Sequence, residues 1–151
     1  MRFLPNLNST RRTILLSTWG LFTGLALLLV TAGVYSTLVG IRAELKQLPT
    51  LVSGGITTAY YAGFLLGSWY TLRALKQVGH IRVYAALASL LSASVLITGV
   101  YDSPIVWILM RSSTGFCFAG LYVVAESWLN GLATNTFRGR LLAMYNVVTI
   151  G

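Results

Sequence analysis

The feature that most constrains this chain is a series of long apolar stretches, each close to the thickness of a bilayer core. The first covers residues 13–39, the second 51–72, the third 81–100 and the fourth 104–129. A helix rises 1.5 Å per residue, so about 20 apolar residues cross a hydrocarbon core of about 30 Å. A fifth stretch begins near Gly139 and runs to Gly151. In lipid every backbone N–H and C=O needs an internal partner, and a helix supplies one within its own segment. The expected fold class is all-α, a polytopic transmembrane helical bundle.

Composition agrees with that solvent. Hydrophobic residues make up 56% of the chain and charged residues 9%, against about 25% charged in an average soluble domain. The 11 Lys and Arg outnumber the 3 Asp and Glu, for a net charge of +8. Such an excess suits either nucleic acid or the cytoplasmic loops of a membrane protein. Here the cations fall in short gaps between apolar stretches and form no basic helix face, which argues against nucleic acid.

Their distribution sets an expected orientation. Arg2, Arg11, Arg12, Arg73, Lys76, Arg82, Arg138 and Arg140 fall on one side, while Arg42 and Lys46 fall on the other. The richer side faces the cytoplasm by the positive-inside rule, which places the amino terminus there. Arg11-Arg12 resembles a twin-arginine export signal. A cleaved signal would have a shorter apolar core and a soluble remainder, so these arginines read better as anchors. Pro49 and Pro104 stand where helices would begin, and Asp102-Ser103-Pro104 has the pattern of a cap and first turn. Trp19, Trp69, Trp107 and Trp128 all fall toward the ends of stretches, as interfacial anchors do.

Residues 141–151 would form a helix of about 16 Å, half of a span. The expectation is that the chain is cut within its fifth helix and that more helices follow. The alternative is an amphipathic tail lying on the membrane surface.

Small residues recur at four-residue spacing: Gly20 and Gly24; Ala59, Gly63 and Gly67; Ala85, Ser89 and Ala93; Gly115 and Ala119. This spacing lets helix backbones approach closely. Gly63, Gly67, Gly115 and Ala119 are the chief packing candidates. They speak for a bundle and do not by themselves speak for transport.

Arg111 is the sharper signal. It lies about 10 Å into the fourth stretch, where a cation must face a cavity or partner, or else snorkel to the outer surface. Glu126 is the one acid within a predicted span. It lies about 22 Å along the helix axis from Arg111, too far to pair with it. Cytoplasmic cations such as Arg73, Lys76, Arg82, Arg138 and Arg140 are its expected partners, in a structural or gating salt bridge. Thr23, Thr31, Tyr35 and Ser36 are polar groups of the first stretch that could line a cavity, although hydroxyls in such helices commonly bond back to their own backbone. His80 is the sole histidine and sits in a basic loop. Cys117 is alone, so it forms no intrachain disulfide. No metal-ligand cluster, phosphate loop or nucleophile–base pair appears. An enzyme, a metal and a cofactor are therefore not expected.

Three motifs resemble the major facilitator superfamily, in its YcaD-like bacterial branch. Arg111-Ser112-Ser113-Thr114-Gly115 looks like the helix-four motif, an arginine followed four residues later by glycine. Glu126-Ser127-Trp128-Leu129-Asn130, with Arg138-Gly139-Arg140, looks like the acid and Arg-Gly pair around the loop between helices four and five. The loop carrying Gly67, Arg73, Lys76, Gly79, His80 and Arg82 resembles the signature loop after helix two. Aligning Gly79 with its second glycine puts Lys76 where the family has aspartate, so Glu126 is the candidate to supply that charge.

The resemblance implies twelve helices in two halves, of which this chain carries the first four to five of the amino-terminal half. It implies a secondary active transporter of a small organic solute, working by alternating access and coupled to protons. Arg111, Thr114 and Tyr35 become the cavity or coupling residues. Glu126, Arg138, Arg140, Arg82 and Arg73 become the cytoplasmic gate. The expected partners are lipid, a small-molecule substrate, protons and a carboxyl-terminal half that completes the site. The competing reading is a non-transporting membrane scaffold or accessory subunit, complete at five segments.

Overall fold

A computed structural model describes the backbone of residues 7–132, with side chains from Thr23 onward apart from Leu129 and Leu132. Four helices follow one another: α1 (Leu7–Leu45), α2 (Thr50–Val78), α3 (His80–Val100) and α4 (Pro104–Leu132). The fifth stretch, Arg138 and Arg140 lie outside the described residues.

The helices outrun the apolar stretches, and their ends are set by local chemistry. Helix α1 closes in a Schellman turn, in which Gln47 N–H donates to the Glu44 carbonyl at 2.8 Å and Leu48 N–H to that of Ala43 at 3.1 Å. Gln47 takes the left-handed conformation this turn requires, at φ 48°. Pro49 follows at ψ 141° and starts α2. Only Gly79 separates α2 from α3. Its φ of 89° and ψ of 161° lie where a side chain is strained, so glycine makes this one-residue corner feasible. Pro104 opens α4 with its fixed φ and no N–H to satisfy.

Three segments are long and apolar enough to cross a membrane: Thr23–Leu45, His80–Val100 and Pro104–Trp128. Helix α2, read from sequence as a span over 51–72, does not reach the same apolarity among the described residues. It is long enough at 29 residues. Its glycines, threonines, serines and tyrosines lower its hydropathy, yet several satisfy themselves locally. Thr57 donates to the Ser53 carbonyl at 3.2 Å and Ser68 to that of Phe64 at 3.0 Å. A helix can thus be less apolar and still present few unmet polar groups.

Helix α4 is the hub. Its Cys117, Phe118, Leu121 and Val124 are buried with Leu75 of α2 and Val83, Leu87 and Leu91 of α3. The α2 seam is closed by glycine. A methyl group added at Gly63 or Gly67 would collide with the Ser112 or Phe116 backbone, and one at Gly115 with the Tyr60 carbonyl. Ala119 is buried beside them. On α3 the expected small-residue row does not serve this purpose: Ala85, Ser89 and Ala93 are exposed, and Leu87, Leu91, Ser94 and Thr98 pack inward instead. Gly24 likewise meets nothing closer than the Tyr84 hydroxyl at 4.0 Å. Spacing marks small residues without saying which face meets a neighbour.

Candidate functional site

Where α1, α2 and α4 meet, the fold brings a cation, two aromatic rings and several hydroxyls to one place. Pro104 sets the register of α4, and Arg111 follows two turns later, pointing toward α1 and α2. It is 8% exposed. Its Nη2 donates to Ser36 Oγ of α1 at 2.9 Å. The guanidinium carbon lies 4.6 Å from the Tyr60 ring centre and 5.2 Å from that of Tyr35. Its Nε is buried and has no hydrogen-bond partner among the described residues. Stacking on rings contributes about 0.5–2 kcal/mol, whereas desolvating a cation costs several kcal/mol. The rings and one hydroxyl therefore leave the charge only partly compensated.

Arg111 forms part of the wall of a cavity of about 480 Å³ between α1 and α2. Helix α1 contributes one face through Ala32, Ser36, Gly40 and Glu44, and α2 contributes Ser53, Thr57 and Tyr60. The α1 residues recur at four-residue steps, so the cavity runs lengthwise along that helix.

The other cavity candidates occupy different surroundings. Tyr35 is buried, its ring beside Arg111 and its hydroxyl donating to Thr98 Oγ1 of α3 at 3.2 Å. Thr114 is fully buried and donates to the Arg111 carbonyl at 2.9 Å. It lines no part of the cavity wall and holds the backbone turn that carries the arginine. Thr31 bonds back to the Leu27 carbonyl at 2.7 Å.

At the other end of the helices, Arg73 lies over the Trp69 ring at 3.7 Å from its centre. Arg82 and Glu126 are exposed at the ends of α3 and α4. The structure joins these two ends through His80 and Ser127, whose Nε2 and Oγ lie 2.9 Å apart. The basic loop expected around His80 is shorter in the structure, where His80 is the first residue of α3. At the opposite end, where α1 turns into α2 and α3 into α4, Lys46 pairs with Asp102 at 3.0 Å, and Arg42 donates to the Thr98 carbonyl at 3.3 Å.

Three contributors were missed from sequence: Tyr60, Glu44 and Gly120. Tyr60 could have been found, since it precedes Gly63 and Gly67 by three and seven residues and so shares their helix face. Glu44 falls beyond the apolar stretch that ends at residue 39, so hydropathy alone does not put it on a helix. A methyl group at Gly120 would stand 2.7 Å from Thr71 Oγ1, a contact that no spacing rule announces. Among the described residues no group of three His, Cys, Asp or Glu could hold a metal ion.

Comparison with known proteins shows the family. Residues 26–151 match the family described as sugar (and other) transporter. The chain is 34% identical over 128 residues to the uncharacterized MFS-type transporter YcaD of Salmonella arizonae, covering 85% of this chain and 34% of that protein. The YcaD proteins of Salmonella typhi and Salmonella typhimurium match with the same identity and coverage. The chain thus spans about a third of the length of the curated relatives it matches. No solved structure matches it.

Proposed function

The chain belongs to the major facilitator superfamily, a family of membrane transporters and not of enzymes, and from that premise we propose that it carries one wall of a solute pathway. The protein would be a secondary active transporter that moves a small organic solute by alternating access, with protons as the coupling ion. Its membrane would be the bacterial inner membrane, with the amino terminus in the cytoplasm.

The observation that supports this reading is the placement of Arg111. A buried, partly compensated cation beside a cavity is a poor structural element, since an apolar residue would stabilise the same position at least as well. It is a good recognition element, because an anionic group or a proton-exchanging acid gains most where the counter-charge is already desolvated. The Tyr35 and Tyr60 rings lie beside the guanidinium, Ser36 accepts from its Nη2, and Thr114 donates to the Arg111 carbonyl. Glu126 with Arg82, Arg138 or Arg140 would close the cytoplasmic side, with Arg73 nearby.

Uptake by the protein in whole cells tests the reading. Arg111→Ala should abolish uptake while leaving the amount of protein in the membrane unchanged. Normal uptake by that variant would overturn the role of Arg111.

A further inference from the structure

The cavity has two charged ends, and their chemistry differs. Arg111 lies at the deep end, against Ser36 and Tyr60. Glu44 lies on the same face of α1 as Ser36, two turns nearer the end of that helix, with Ser53 of α2 on the facing wall. Two cations stand close to Glu44 in sequence, and both are engaged toward other parts of the molecule. Lys46 pairs with Asp102, and Arg42 donates to the Thr98 carbonyl of α3. Among the described residues Glu44 takes part in no ion pair. Arg111, for its part, has an Nε without a partner. One cavity thus holds a cation and an anion, apart from each other, each lacking a counter-ion.

From this we infer that the cavity recognises a dipolar solute, with an anionic group held at Arg111 and a protonated amine held at Glu44. The inference rests on the transporter reading and adds the substrate class. Length follows from the helix. Ser36 and Glu44 are eight residues apart, about 12 Å along α1. A charge-assisted hydrogen bond at each end takes up about 2.8 Å, which leaves about 6 Å between the charges of the solute. An α-amino acid is too short for both ends at once. An ω-amino acid such as 4-aminobutyrate, with charges about 5 Å apart when extended, fits better. The small residues along the wall, Gly40, Ser53 and Thr57, suit a slender chain.

The test is binding to the purified full-length protein, measured by calorimetry with four probes: 4-aminobutyrate, glycine, butyrate and butylamine. The inference expects 4-aminobutyrate to bind at least about tenfold more tightly than any other probe, a difference of one decade in Kd. Glu44→Gln should remove its advantage over butyrate while leaving butyrate affinity unchanged, which also shows that the variant is folded. Glu44→Asp should restore part of the advantage. Equal affinity for butyrate and 4-aminobutyrate, or an unchanged ratio in Glu44→Gln, would overturn the two-charge site and leave an Arg111-dependent anion site standing. Loss of no binding at all in Arg111→Gln, for every probe that binds, would overturn the role of Arg111 as well.

Discussion

Along α4, the seam with α2 and the seam with α1 are built from different materials. Against α2 the contact is backbone on backbone, with Gly63, Gly67 and Gly115 removing the side chains that would hold the helices apart. Against α1 the contact is polar and spaced, with Arg111 reaching Ser36 and a cavity of about 480 Å³ left between α1 and α2. Lipid tails are as apolar as leucine, so helix association in a membrane depends on close van der Waals packing and interhelical hydrogen bonds. The first seam uses the packing. The second gives up packing and leaves a cavity, and it can do so because the first already holds α2 and α4 as a unit. Rigidity beside a cavity is what a site requires if its charges are to stay in place.

The largest expected effect comes from breaking the tight seam. Gly67→Leu would force a side chain into the Phe116 backbone and should destabilise the fold by more than about 3 kcal/mol. Detergent-solubilised protein should lose its monodisperse elution peak. Gly33→Ala, at a position with open space, serves as its control and should behave as wild type. A normal peak for Gly67→Leu would show that the two seams do not differ in the way described.

The loose seam should respond in the opposite sense. Arg111→Met removes a buried, partly compensated cation and keeps most of its volume, so the thermal midpoint should stay level or rise. A clear fall in the midpoint would mean that Arg111 is structural and that the cavity is incidental. The smallest effect concerns the α3 side. Ser94 and Ser113 lie 2.9 Å apart, hydroxyl to hydroxyl, and a double-mutant cycle to alanine should give a coupling of about 0.6 kcal/mol, typical of such bonds in membranes. A coupling of several kcal/mol would make α3 part of the rigid unit rather than a helix packed upon it.

Much of this architecture was legible in the residues. Helices follow from apolar length, because lipid offers the backbone no partner, and Pro49 and Pro104 mark the starts of helices through their own geometry. The site was legible only in part. Arg111 stood out because a cation within an apolar stretch is expensive, and Gly63, Gly67 and Gly115 stood out by spacing. The same spacing drew attention to Ala85, Ser89 and Ala93, which turn out to be exposed. Periodicity gives a face its composition, and a neighbour must still be there to meet it.

What sequence alone determined is therefore the membrane as solvent, the helical class, the approximate limits of the helices and the presence of one costly cation. Tertiary structure decided which residues surround that cation. Tyr35, Ser36 and Tyr60 come from two other helices, 75 and more residues or about 50 residues away along the chain, and their meeting depends on how α1 and α2 rotate against α4. It also placed Glu44 on the cavity wall and Thr114 beneath it. The physical reason is that burial and backbone bonding are local demands, answered within a segment, whereas a site is a convergence of faces set only when helices pack.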